Sequence, residues 1–240
     1  MTRLRGIELT PRLLALAEQV PQGARFADIG TDHARLPVWL IEHGVVDSAI
    51  AADLREGPLD RARETARRHQ VTDRISFRLG DGLAPVRRSE ADVIAIAGMG
   101  GESIAQILAA APWAREGERL LLLQPMTSVP DLRRWLAGNG YIIQKETLIR
   151  EGGTIYILMT VVPGRMPPLT PAEEWVGRQR QGMDCPLRAE FLDQMAGRCA
   201  KALAGLRKSN REEDRLAIPQ WEARMAGLET MRKEWEAWQK

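Results

Sequence analysis

From residue 25 to residue 162, short apolar runs alternate with segments of helical periodicity, and this alternation admits few folds. It is the pattern of a parallel sheet covered by helices on both faces. The runs 25–29, 48–52, 75–79, 93–97 and 120–123 each predict a strand, and their continuous apolarity is what burial on two faces demands. Residues 7–20 read as a leading helix, with Thr10-Pro11 as an internal start because threonine caps and proline suits a first turn. After a helix over 129–137, Gly138-Asn139-Gly140 marks a turn, and 141–149 and 154–162 read as two strands around Glu151-Gly152-Gly153. Such a hairpin makes the last strand antiparallel, which separates this sheet from the usual dehydrogenase version of the doubly wound fold.

Prolines 163, 167, 168 and 171 break the pattern, so a linker is expected there, dividing the chain into domains 1–163 and 164–240. Beyond it Leu192, Met195, Cys199, Leu203 and Leu206 recur at three- and four-residue steps, as do Trp221, Met225, Leu228, Met231, Trp235 and Trp238. Two amphipathic helices, separated by polar 209–214 with Pro219 in the first turn of the second, predict an antiparallel helical hairpin or short coiled coil. Its role, RNA docking or dimerisation, stays open, as does the choice between monomer and homodimer.

Length and composition limit the alternatives. With 240 residues and 44% hydrophobic content, the chain can bury the core of one α/β domain plus a smaller attachment. No run reaches the roughly 18 to 20 apolar residues of a membrane span, and Met1-Thr2-Arg3-Leu4-Arg5 leads into no signal-peptide stretch. A soluble cytoplasmic protein without a membrane partner is expected. Cys185 and Cys199 have no partners at metal-ligand spacing, so they are expected as reduced packing thiols, with no metal. A net charge of +2 does not announce a nucleic-acid partner. The arginine groups (3, 5 and 12; 61, 63, 67 and 68; 87 and 88; 133 and 134) are several times mixed with Glu and Asp, and read as solvated faces.

The strand ends carry the chemistry. The first strand runs through Asp28 into Gly30-Thr31-Asp32-His33-Ala34, a glycine turn at the carboxyl edge where doubly wound sheets bind nucleotides. Asp28 and Asp32 suit a cationic amino-acid or sulfonium end and would repel a pyrophosphate. The loop also lacks the second glycine of the dinucleotide pattern, with Asp32 in its place. The second strand delivers Asp53, suited to accept from both hydroxyls of a ribose. The third delivers Asp81-Gly82, where a carboxylate can accept from an adenine amino group. The fourth leads into Ala97-Gly98-Met99-Gly100-Gly101, whose small residues leave room where cofactor and acceptor should meet. The Asn or Asp, paired prolines and aromatic that many exocyclic-amine methylating enzymes place here are missing, which favours a ring nitrogen as acceptor. Gln124-Pro125-Met126 borders the expected acceptor pocket. His33 is read as a hydrogen-bonding residue of the pocket; His43 and His69 are read as surface residues.

The strings Ala27-Asp28-Ile29-Gly30-Thr31-Asp32-His33-Ala34, Asp53-Leu54-Arg55-Glu56-Gly57-Pro58-Leu59 and Leu79-Gly80-Asp81-Gly82 resemble those of the TrmK family. So do Ile96-Ala97-Gly98-Met99-Gly100-Gly101, Leu123-Gln124-Pro125-Met126, Trp135-Leu136, Asn139-Gly140-Tyr141 and Gly153-Thr154-Ile155-Tyr156, a resemblance covering about residues 11–162. It implies a Rossmann-like class I methyltransferase sheet that transfers a methyl group from S-adenosylmethionine to N1 of adenine 22 in bacterial tRNA. By the same resemblance Asp28, Gly30, Thr31, Asp32, His33, Asp53, Asp81, Gly82, Ala97 and Gly98 would line the cofactor site. Arg12, Met99, Gly100, Gln124 and Pro125 are the candidates for the acceptor side, Arg12 also for the cofactor carboxylate. No catalytic residue is implied. Direct in-line attack by N1 of an unpaired or flipped base is the expected chemistry. Two other functions fit the same residues: a tRNA-binding factor without catalysis, or a methyltransferase for another RNA or a small molecule.

Overall fold

The computed structural model describes residues 6–239. In chain order the elements are α1 (Pro11–Ala17), β1 (Phe26–Ile29), α2 (Arg35–Glu42), β2 (Ala49–Asp53), α3 (Glu56–Arg68), β3 (Ile75–Leu79), β4 (Val93–Gly100) and α4 (Gly101–Ala110). There follow β5 (Leu120–Thr127), α5 (Val129–Gly138), β6 (Tyr141–Glu151), β7 (Thr154–Pro163), α6 (Pro171–Val176), α7 (Arg188–Lys208) and α8 (Glu212–Trp238). The strands form one sheet in the order β3-β2-β1-β4-β5-β7-β6. The first five are mutually parallel, and β7 runs antiparallel to both β5 and β6. Gly152 and Gly153, both at positive φ, close the β6–β7 hairpin, a backbone that side-chain-bearing residues resist.

Strand residues alternate between two cores. Phe26, Ala49, Ala51, Val93, Ala95, Leu122 and Leu158 face α1, α2 and α3. Ala27, Ile29, Ile94, Ile96, Leu121, Leu123, Met159 and Val161 face α4 and α5, and the same apolar cluster continues into α6, α7 and α8. This two-sided burial is why the strands read as unbroken apolar runs. The helical hairpin is antiparallel: Asp193 meets Arg232, and Arg207 meets Glu222. Both cysteines are free and buried. Among the described residues, no helix is long and apolar enough to cross a membrane.

Four expectations need correction. The leading helix occupies only Pro11–Ala17, starting at the expected Thr10-Pro11, while Ile7 lies outside it and donates its backbone amide to Glu42. The expected linker is coil only over 164–170; Pro171 opens the short helix α6, capped reciprocally by Thr170 and Glu173. Pro219 is not near the start of α8 but inside it, because Glu212, Glu213 and Asp214 supply an acidic first turn seven residues earlier that favours the helix dipole. Arg133 is not on a solvated face. It is fully buried and paired with Glu146 at 2.8 Å. Arg3 and Arg5 lie outside the described residues.

Candidate functional site

Beyond the last residues of β1, the ladder is prolonged by the amides of Gly30 and Thr31, which donate to Ala52 O at 2.8 and 3.0 Å. Gly30 takes φ +76°, and a Cβ there would fall on the methyl of Met99. Thr31 is buried, its Oγ1 accepting from the amide of Ala34 at 3.2 Å, and Ala34 itself sits at φ +49° as α2 begins. The chain thus turns sharply above the sheet, leaving Asp28 buried beneath it. Burial pushes the Asp28 carboxyl up to about 6; the Thr31 hydroxyl pulls down and the nearby Asp53 carboxylate adds to the rise.

Two adjoining cavities run along this carboxyl edge, and Gly30 lines both. The larger, about 540 Å³, is lined by Asp53, Asp81, Gly82 and Met99. The smaller, about 330 Å³, is lined by Asp28, Thr31, Asp32, His33, Ala97, Gly98, Arg12 and Gln124. The divide follows from a bulge: the β4–β5 register shifts between Ala97 and Met99, with Gly98 at φ +78°. Ala97 therefore faces one basin and Met99 the other. Gly100 and Pro125, expected beside the acceptor, line neither. Gly100 is instead the N-cap of α4, and buried Pro125 pairs with Met99 in the ladder.

Asp53 and Asp32 also have local ties. Asp53 accepts from the Arg55 amide at 2.8 Å with one oxygen, and its own carbonyl accepts from Gly80. Asp32 is exposed, bridging to Arg61 of α3 and lying 3.3 Å from His33 Nε2. Gly82 is at φ +50°, where a Cβ would lie 2.9 Å from Ile107, so glycine lets this loop close onto α4.

The rim of the smaller cavity is set by Arg12. Its Nε donates to Glu151 at 2.9 Å, its Nη1 to Gln124 at 3.3 Å, and its guanidinium lies 4.4 Å from the Tyr156 ring centroid. Burial pushes the Glu151 carboxyl up, but hydrogen bonds from the Arg12 backbone and side chain outweigh it and the net shift is downward. Sequence reasoning missed the far wall of the larger cavity: Ser103, Gln106 and Ile107 of α4, and Trp113. The spacing of the α4 residues, three and four apart on one helix face, was the available signal.

A parallel sheet ending in an antiparallel hairpin, with acidic residues at the ends of β1 and β2 and just after β3 around a divided cavity, defines the Rossmann-like class I methyltransferases. Comparison with known proteins agrees. A methyltransferase-domain family model matches residues 9–159. The tRNA (adenine(22)-N(1))-methyltransferase of Bacillus subtilis is 37% identical over 158 residues, 66% of each chain. The crystal structure of the Bacillus subtilis m1A22 tRNA methyltransferase TrmK superposes with a TM-score of 0.84 at 29% identity, covering 94% of this chain and 99% of that one. A Streptococcus pneumoniae protein solved in complex with S-adenosyl-L-methionine gives 0.79 at 32% identity, covering 92% and 99%. The sequence matches span slightly less than two thirds of the curated relatives' lengths. The chain belongs to the TrmK family of methyltransferases.

Proposed function

We propose that the chain methylates N1 of adenine 22 in tRNA with S-adenosylmethionine as donor, by direct in-line attack of N1 of an unpaired or flipped base. The observation that carries this function is the divided cavity at the carboxyl edge, with buried Asp28 in one basin and Asp53 and Asp81 in the other.

The residues present fit the donor. Asp28, with Thr31 and His33 beside it, suits the cationic amino-acid end, and a buried carboxyl pushed up to about 6 is one that a cation would relieve. Asp53 uses one oxygen on the Arg55 amide, leaving the other for a ribose hydroxyl. Asp81 and Gly82 suit the adenine, with Gln106, Ile107 and Trp113 as its further wall. When bound, S-adenosylmethionine supplies a methyl group on a sulfonium leaving group. Adenine N1 already carries a lone pair, so the chain's contribution is to align the base and exclude competing orientations, and no residue need act first as a base. Ala97 and Gly98 line the smaller basin and Met99 the larger, and the small side chains of the first two leave room for an incoming ring. Arg12, held by Glu151 and Gln124 over Tyr156, suits the cofactor carboxylate or an RNA phosphate. A tRNA substrate would place this work in the cytoplasm.

Methyl transfer from labelled S-adenosylmethionine to unmodified tRNA transcripts, with adenine 22 present or replaced, tests the assignment. 1-Methyladenosine is expected only with adenine 22. No transfer despite measured cofactor binding would sink the tRNA assignment and favour a non-catalytic or differently directed protein.

A further inference from the structure

A second place in the molecule gathers charge around an opening. A cavity of about 400 Å³ lies between β6 and the segment joining α6 to α7. Lys145 on its wall is six residues along β6 from Glu151, about 20 Å of extended strand, so this cavity is separate from the carboxyl-edge site. Four lining side chains are basic, Arg133, Lys145, Arg178 and Arg180, against two acidic ones, Glu146 and Asp184.

The floor is built and buried. Arg133 pairs with Glu146 at 2.8 Å and donates to the Glu174 carbonyl at 2.8 Å. Behind them buried Arg188 donates to the carbonyls of Val176 and Gly177 and, at 3.3 Å, to Gln179 Oε1. Burial lowers Arg188 to about 10, which still leaves it charged at neutral pH. Two buried guanidinium groups thus lie near one carboxylate, to which only Arg133 is bonded. In addition, Arg133 Nη2 is buried without a hydrogen-bond partner among the described residues. A guanidinium that keeps its charge and lacks an acceptor in a low-dielectric setting is costly unless something completes it. At the rim Lys145 and Arg180 are exposed and make no ion pair among the described residues, whereas Arg178 pairs with Glu173 at 3.2 Å. Excess buried positive charge, an orphaned donor and two uncommitted cations all point the same way.

We propose that this cavity binds a phosphate group, carried either by a small phosphorylated molecule or by the backbone of an RNA. A tetrahedral oxyanion offers several acceptors to guanidinium forks and a lysine ammonium at once, and its charge balances the surplus on the floor. The volume lies within the range of small-molecule sites.

The test compares the wild-type chain with the double variant Lys145→Ala/Arg180→Ala, whose side chains are exposed and whose loss spares the core. Thermal unfolding is followed during titration with inorganic phosphate against chloride at matched ionic strength. The wild-type chain should be stabilised by phosphate, and the double variant should need about tenfold more of it, as expected for losing one or two charge-assisted hydrogen bonds. Binding of S-adenosylmethionine by calorimetry should be the same in both, which separates failure of this site from failure of the carboxyl-edge assignment. No phosphate effect beyond chloride, or an equal effect in both proteins, would overturn the proposal. With the phosphate response lost, a parallel drop in tRNA affinity assigns the phosphate to RNA, and unchanged tRNA affinity assigns it to a small molecule.

Discussion

Two of the places where this molecule buries charge have opposite sign and different surroundings. At the carboxyl edge Asp28 lies beneath the Gly30 turn, and no cation contributes to the shift of its carboxyl. Between α5, β6 and α6, Arg133 and Arg188 are buried around Glu146, tied to backbone carbonyls of Glu174, Val176 and Gly177. The first arrangement makes the empty protein less stable at neutral pH and leaves a carboxylate for a cationic ligand. The second joins α5 and β6 to the segment that leads into the helical hairpin, so its charges mostly serve cohesion. An uncompensated carboxylate at one edge contrasts with an arginine cluster that is largely tied to carbonyls and one carboxylate yet keeps a donor to spare, so the first is a ligand site alone and the second a scaffold beside a second opening.

The sharpest way to break this contrast is to remove an arginine from the scaffold. Arg133→Met keeps much of the volume but leaves Glu146 without its ion pair, and should lower unfolding free energy by about 3–5 kcal/mol in urea titrations. A loss under 1 kcal/mol would mean that the cluster holds nothing together. Next in size is the larger basin. Asp53→Ala should weaken S-adenosylmethionine about a hundredfold in calorimetry, since a charged acceptor contributes roughly 1.5–3 kcal/mol per hydrogen bond. Unchanged affinity would contradict the ribose assignment.

Asp28 tests the other side of the comparison. Its carboxyl titrates near 3.8 when unfolded and about 6 when folded, so between those values the folded chain holds more protons. Stability of the ligand-free protein should therefore be highest below about pH 4 as far as this group is concerned, and fall as pH rises to about 6. Asp28→Asn should remove that dependence and raise stability at pH 8 by at most about 3 kcal/mol in pH-resolved denaturation. Cofactor affinity should fall in the same variant, and in the wild type it should fall as pH drops below about 6. A variant no more stable than wild type at pH 8 would show that the carboxylate is already compensated.

How much of this was legible in the sequence depended on how local the cause was. Asp28, Asp53 and Asp81 lie at or just beyond strand ends, and a strand end is fixed by its own apolar run and turn residues, so these positions could be read directly. Thr170 and Glu173 carry a capping signature around Pro171, yet the surrounding prolines obscure it, and Pro171 reads as the end of a linker instead of the first residue of α6. The start of α8 was misread because Pro219 suits a first turn, while the acidic residues before it are the stronger start signal. Arg133 offered no local signal. Beside Arg134 and Asp131 it looks solvated, and its burial is decided by Glu146 and Glu174, thirteen and forty-one residues away. The wall formed by Ser103, Gln106, Ile107 and Trp113 is likewise tertiary: the α4 periodicity marks a face, but only the packed sheet shows which cavity that face borders.

The smallest effect concerns the divide between the basins. Gly30 combines a left-handed backbone with close approach to the Met99 methyl, so Gly30→Ala meets two separable penalties. The backbone alone should cost about 1 kcal/mol, and the contact adds more unless the flexible methionine swings aside. If Met99 does move, it moves into the larger basin that it lines, and cofactor affinity should fall further than stability does. Calorimetry and denaturation of Gly30→Ala with and without Met99→Ala separate the two. Recovery of affinity without full recovery of stability is the expected pattern. Equal recovery of both would mean that the left-handed backbone costs nothing here and that contact with Met99 alone makes glycine necessary at the turn.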